Sequence, residues 1–187
     1  MIGIDEVGRG SWAGPLLVCA VRLNYSIKGL TDSKLLSAKK RAQLAEEIVA
    51  QADVGYGWVT PETIDKESLA NALVIACRVS YEQIMKTNKE LVVIDGNINF
   101  LGLNNCVTQV KADLVVPSVS AASIVAKVTR DNYMKQLDYK YPGYGFSSHV
   151  GYGTAAHSRA LEQNGPIAGV HRFSFKPVMK FAAQHLG

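Results

Sequence analysis

The chain has 187 residues, a length that suits one domain with a sizeable core. It is 48% hydrophobic and 19% charged, which excludes a disordered chain, and its net charge of +4 permits a polyanionic partner without requiring one. Cys19, Cys77 and Cys106 are odd in number, widely spaced and without a CxxC pair, so neither a disulfide framework nor a zinc cage is expected. No apolar run approaches the roughly 18 residues of a membrane span, and the N-terminus lacks a signal-peptide pattern. A soluble cytoplasmic protein without a membrane partner is the expectation, read as one domain over residues 1–187 with no linker or repeat.

The chain opens on "MIGID", a short apolar strand that ends in two acids, Asp5 and Glu6. A Gly8-Arg9-Gly10 turn leads into "PLLVCAVRL", a continuous apolar run expected of a strand buried on both faces. Ser37 caps a predicted helix whose apolar stripe is Ala42, Ala45, Ile48, Val49 and Ala52. "VGYGWVT" predicts a third strand, and Leu69, Leu73, Ala76, Cys77, Ser80 and Ile84 mark one face of a second helix. "LVVID" is a brief strand ending in Asp95-Gly96-Asn97, and "CVTQV" is another. A long helix begins at Ser118 or Ser120. Thr154 caps a further helix, which Gly165-Pro166 stops. Strands alternating with helices predict an α/β fold, and the short link between the first two strands makes the sheet mixed.

Asp5, Glu6 and Asp95 each stand at the C-terminal end of an apolar strand, where open α/β sheets place ligands. Asp113, in "VKADLVVPSVSAAS", is a fourth acid in apolar surroundings. If the four converge, their repulsion calls for cations, and oxygen-only ligands suit Mg²⁺ or Mn²⁺. A two-metal site supports in-line displacement at phosphorus. A turn at Asp95 and a helix cap at Asp113 are the competing readings, and spacing leaves open whether the four meet. Lys127 and Arg130, three apart, face either a phosphate backbone or, with an Arg130–Asp131 pair, solvent. The histidines show no paired metal-ligand spacing, and His171-Arg172 reads as C-terminal packing.

The segments "DEVGRG…AGP", "DSK", "IDGN", "KAD…SAASIVAKVTRD" and "YGF…H.GYGT..H…HRFSF" resemble, in this order and over nearly the whole chain, the motifs of ribonuclease HII, the type 2 ribonuclease H family. The resemblance implies a ribonuclease H-like fold: a central mixed five-stranded sheet flanked by helices, with a C-terminal helical part. It implies a metal-dependent endoribonuclease that cleaves RNA in RNA–DNA hybrids and cuts 5′ of ribonucleotides embedded in duplex DNA, leaving 3′-hydroxyl and 5′-phosphate ends. Such an enzyme serves DNA replication and ribonucleotide excision repair. It further implies Mg²⁺ or Mn²⁺ as cofactor, with Asp5, Glu6, Asp95 and Asp113 as catalytic metal ligands. Gly8, Arg9 and Gly10 would read the 2′-hydroxyl, Tyr152 would stack on the neighbouring deoxyribose, and Ser33 and Lys34 would lie near substrate phosphates.

A monomer is expected, and contact with a sliding clamp is left open. Val7 stands where the family more often has Ala, Val150 where Lys is common before GYGT, and an extra helical region of some members is not matched after "FKPVMKFAAQHLG". The rival readings are a non-catalytic hybrid clamp, which leaves no reason to keep four acids facing a polyanion, and a DNA nuclease or strand transferase of the same fold, which leaves Gly8-Arg9-Gly10 and Tyr152 without a role. A structural scaffold leaves the acids unexplained.

Overall fold

In chain order the elements are β1 (Ile2–Val7), β2 (Leu16–Leu23), α1 (Ala38–Gln51), β3 (Ala52–Val59), α2 (Pro61–Glu67), α3 (Leu69–Glu82), β4 (Val92–Asp95), β5 (Cys106–Gln109), α4 (Pro117–Lys140), α5 (Phe146–His149), α6 (Ala155–Asn164) and α7 (Lys176–Leu186), with 3₁₀ turns at Ser33–Leu35 and Ala112–Leu114. They come from a computed structural model that describes residues 1–87 and 89–186. The strands form one sheet in the order β3-β2-β1-β4-β5. β1 runs antiparallel to β2 and parallel to β4, and β4 runs parallel to β5. The mixed five-stranded sheet flanked by helices is therefore present. Among the described residues no helix is long and apolar enough to cross a membrane.

The chain divides into two compact units, and each is woven from separate stretches of sequence. The first comprises Met1–Val7, Leu17–Trp58 and Leu73–Thr129. In it, Leu17, Cys19 and Val21 of β2 pack against Leu44, Ala45 and Ile48 of α1 and against the small and branched residues of α4. Val54 and Tyr56 of β3 join the same layer, so strand alternation turns Gly55 and Gly57 to the other face. There the missing side chains admit α3: a Cβ on Gly55 would lie 2.0 Å from the Ser80 carbonyl oxygen, and one on Gly57 would lie 1.9 Å from that of Ala76.

Two expected details change. The inward stripe of α1 runs through Leu44 instead of Val49, which is 52% exposed because it lies a further ~100° round the helix from Ile48. α4 starts at Pro117, whose missing N–H is no loss in a first helical turn. Ser37 and Thr154 cap their helices as expected, accepting from the Lys40 and His157 amides at 3.2 Å. The three cysteines are buried thiols.

At the end of β2, Arg22 is held on all sides. Its guanidinium meets both carboxylate oxygens of Glu90 at 2.7 and 2.6 Å, Asp53 at 2.6 Å and the Ile84 carbonyl at 2.5 Å. Lys86 completes the group at 2.9 Å from Asp53. The fork satisfies a nearly buried cation and ties the sheet to the segment after α3.

The second unit comprises Gly8–Leu16, Val59–Ala72 and Arg130–Gly187. Its core gathers Met134, Tyr144, Phe146, Leu161 and Val170. Three buried histidines lie among them, with the rings of His149 and His157 stacked at 4.3 Å and those of His157 and His171 tilted at 5.3 Å. Asp65 of α2 accepts from the Phe173 and Ser174 amides at 2.8 and 2.9 Å and so secures the approach to α7. Burial moves His157 down to about 4 and His171 to about 3 and so keeps these two rings neutral; the nearness of His149 adds to both shifts, and that of His157 adds to the shift of His171.

Two stability measurements follow from these contacts. Arg22→Met strands Glu90 and part of Asp53, and should cost about 2–4 kcal/mol in urea unfolding; a change under 1 kcal/mol would show the ion group to be ornamental. Unfolded imidazoles titrate near pH 6.5 and the folded ones lower, so the unfolded chain binds more protons between these values. Stability should be complete above about pH 6.5 and fall as the pH drops toward 4. That slope should flatten in a His157→Asn/His171→Gln double variant, and an unchanged slope would assign it to other groups.

Candidate active site

In the first unit, β1 and β4 are parallel with Ile4 opposite Ile94, so Asp5 and Asp95 occupy the next step on adjacent strands. Asp5 is 8% exposed. Its carboxylate accepts the Glu6 amide at 2.8 Å and bonds to Ser123 of α4, whose hydroxyl is 3.1 Å from that of Ser33. Glu6, the next residue along β1, is half-buried. Burial raises the Asp5 carboxyl well above the ordinary carboxylate range, with the charge of Glu6 and then of Asp95 adding to it.

Asp95 accepts the Ala112 amide at 2.7 Å, which ties the end of β4 to the 3₁₀ turn that carries Asp113. Lys111 adopts φ 59° to enter that turn. Asp113 is buried, and burial raises its carboxyl, followed by the charges of Asp32 and Asp95; Lys34 opposes them. The four predicted acids therefore lie within one electrostatic neighbourhood of this unit. Among the described residues no three of them close into a ready ligand set. Asp5, Asp95 and Asp113 are instead each restrained by neighbouring donors or burial. The donor chemistry fits a hard divalent cation: oxygen atoms only, with Asp5 and Asp113 desolvated and Lys34 opposing the negative charges around Asp113.

Two participants escaped the sequence reading. Asp32 caps its own 3₁₀ turn by accepting the Lys34 amide at 2.8 Å and also acts on Asp113. Ser123 supports Asp5 from α4, a role that lies behind a buried helix face and has no local signature. The Ser33 hydroxyl is buried and directed to Ser123.

The second unit holds the remaining predicted residues. A Cβ on Gly8, which has φ 85°, would lie 2.3 Å from the Arg130 Nε, so this glycine is demanded from inside. A Cβ on Gly10 would meet nothing within 4 Å. Arg172 donates to the Arg9 carbonyl at 3.0 Å and twice to that of Gly14. Arg130 is fully buried and donates to the carbonyls of Pro15 and Val150 at 2.8 Å and of Ala13 at 3.1 Å. The expectation of a solvent-facing or phosphate-facing Arg130 is thus corrected: the carbonyls of two loops solvate it in the interior. Burial lowers the Arg172 guanidinium to about 9 and lowers Arg130 as well.

Tyr152 follows Val150, a β-branched residue held at φ 44°. Its amide donates to the His149 carbonyl at 2.9 Å, and its own carbonyl accepts from the Thr154 amide at 2.9 Å and from His157 at 3.0 Å. Tyr152 as a residue is 36% exposed, with the Arg130 guanidinium 5.8 Å from the centre of its ring.

The family model for ribonuclease HII matches residues 2–178. A ribonuclease HII of Jannaschia sp. is 44% identical over 183 residues, 95% of this chain and 90% of that one. The ribonuclease HII in the PCNA complex from Archaeoglobus fulgidus superposes with a TM-score of 0.76 at 28% identity, covering 92% of each chain. Bst-RNase HIII, solved with Mn²⁺, shares the fold at 20% identity and a TM-score of 0.71, over 98% of this chain and 69% of that one. Shared sequence over almost the full length, joined to the same sheet, leads to one conclusion: the chain belongs to the ribonuclease HII family, endoribonucleases that act on RNA–DNA hybrids.

Proposed function

We propose that Asp5, Glu6, Asp95 and Asp113 hold the divalent cations on which the family depends, and that the substrate includes duplex DNA with an embedded ribonucleotide, cut on its 5′ side. The observation that carries this is the pair of buried, charge-crowded carboxyls, Asp5 and Asp113, on either side of Asp95 in the sequence of electrostatic contacts. An interior that crowds acids together is costly unless a cation joins them. Oxygen-only donors suit Mg²⁺ or Mn²⁺. Bound there, such ions supply electrostatic stabilisation of the charge that develops at phosphorus.

The protein's own groups do the positioning. Ser123 and the Glu6 amide aim the Asp5 carboxylate, and the Ala112 amide aims Asp95. Lys34 and the turn bearing Ser33 serve the substrate phosphates. Gly8, Arg9, Gly10 and Tyr152 contact the ribonucleotide, and the open space at Gly10 lets a sugar oxygen approach the main chain. Hydrolysis places water oxygen on phosphorus, breaks the bond to the 3′-oxygen, and leaves 3′-hydroxyl and 5′-phosphate ends. Losing one buried partner on an all-deoxy strand costs about 1–3 kcal/mol, which gives roughly ten- to two-hundredfold selectivity for ribose.

Asp5→Asn and Asp95→Asn should each lower cleavage of a hybrid in Mg²⁺ by about a hundredfold or more. Asp5→Asn should also leave urea stability unchanged or higher, because a crowded buried charge is removed. Full activity in both variants would remove these residues from the ligand set. A duplex with a single ribonucleotide should be cut once, at the 5′ side of that residue, with loss of cleavage on adding EDTA. Equal nicking of the all-deoxy duplex would refute the assigned substrate.

A further inference from the structure

The hydrogen bonds around the buried histidines of the second unit determine which ring nitrogen carries each proton. The Ile167 amide donates to His171 Nδ1 at 2.9 Å, so a neutral His171 bears its proton on Nε2. That proton points at His157 Nε2, 3.2 Å away, which must therefore accept. His157 then bears its proton on Nδ1 and donates it to the Tyr152 carbonyl at 3.0 Å. The direction of the chain is set at its origin, because a main-chain N–H can only donate. His149 is fixed in the same manner: it accepts the Gly151 amide on Nδ1 and donates from Nε2 to the Tyr144 carbonyl at 2.8 Å.

The relay terminates on the backbone of a residue whose side chain is turned outward. Tyr152 is gripped at its amide and doubly at its carbonyl, while the residue as a whole remains 36% exposed. The strand-like pair Ala13–His171 and the Trp12 ring, 5.6 Å from that of His157, enclose the same histidines from the loop that begins at Gly8. A Cβ on Gly153 would lie 2.1 Å from the Trp12 indole, so the segment after Tyr152 is also pressed against this loop.

We propose that His171 and His157 are positioning residues: a one-way relay of neutral imidazoles that immobilises the main chain of Tyr152 and so presents its ring to the ribonucleotide-bearing strand. The proposal rests on the reading of Tyr152 as a substrate contact. Neither histidine touches substrate, and neither transfers a proton in the reaction. The burial that keeps both rings neutral preserves the two lone pairs on which the relay depends.

The test combines a spectroscopic and a kinetic measurement on the full chain. Histidine ¹⁵N NMR of the wild-type protein at neutral pH should report His157 in the Nδ1–H form and His171 in the Nε2–H form. The opposite tautomer at either ring, or an imidazolium, would overturn the relay whatever the kinetics. With a singly ribonucleotide-substituted duplex and Mg²⁺, His157→Ala should lower kcat/KM about tenfold, the effect of one lost hydrogen bond. His157→Asn, whose amide nitrogen stands near the place of Nδ1, should recover most of that loss. In a Tyr152→Ala background, His157→Ala should add less than a twofold loss, and a full additional tenfold would overturn action through Tyr152. Unimpaired cleavage by Tyr152→Ala alone would refute the substrate contact and with it the purpose of the relay. Wrong tautomers with an impaired Tyr152→Ala would refute the relay alone.

Discussion

Carboxylates brought out of water beside one another are the constraint from which the first unit takes its shape. Asp5 and Asp95 are carried into proximity by the parallel pairing of β1 with β4, a feature of sheet topology and not of local sequence. Once there, they need partners, and the chain supplies main-chain amides and a serine in place of a permanent counter-charge. Those donors restrain the acids without neutralising them. On the proposed reading, the surplus of negative charge is thereby retained for a cation and, through it, for a phosphodiester, which is itself anionic and would otherwise be repelled.

The second unit meets the inverse problem. Arg130 and Arg172 are cations in the interior, and the carbonyls of Arg9, Ala13, Gly14, Pro15 and Val150 supply their solvation. The consequence is order in segments that have little regular structure of their own. Loops ordinarily satisfy their polar groups with water and move accordingly; here five carbonyls converge on two rigid forks. A lysine, with one compact charge and no planar fork, would not hold several carbonyls in fixed directions. The strained φ of Val150 is maintained in the same setting, since its carbonyl is one of those held.

Much of this was legible from the chain itself. The alternation of apolar runs with amphipathic periods gave the α/β order, and Ser37, Thr154 and Gly165 marked helix ends because capping is a local matter. The acids could be named because they end or follow apolar segments. Whether they share a neighbourhood depended on strand pairing and on the hydrogen bond from Ala112 to Asp95, both non-local. Arg130 was misjudged for a related reason: its spacing from Lys127 is that of a helix face, but nothing in nearby sequence reveals that carbonyls from residues 13, 15 and 150 surround it. The glycine alternation in "VGYGWV" likewise reports the near approach of α3, which becomes evident only with the helix in place.

The contrast between Gly8 and Gly10 bears on how mutational scans of such proteins are interpreted. Gly8 is irreplaceable because a guanidinium occupies the volume where any side chain would begin, whereas Gly10 faces vacancy. Damage at the first position would register as poor expression or lowered melting temperature, and, on the proposed reading of Gly10 as a ribonucleotide contact, damage at the second as a protein of normal yield that handles its nucleic acid badly. Two identical residues, separated by a single arginine, thus belong to different columns of a genotype–phenotype map, and pooling them as one motif would blur scaffold maintenance with recognition.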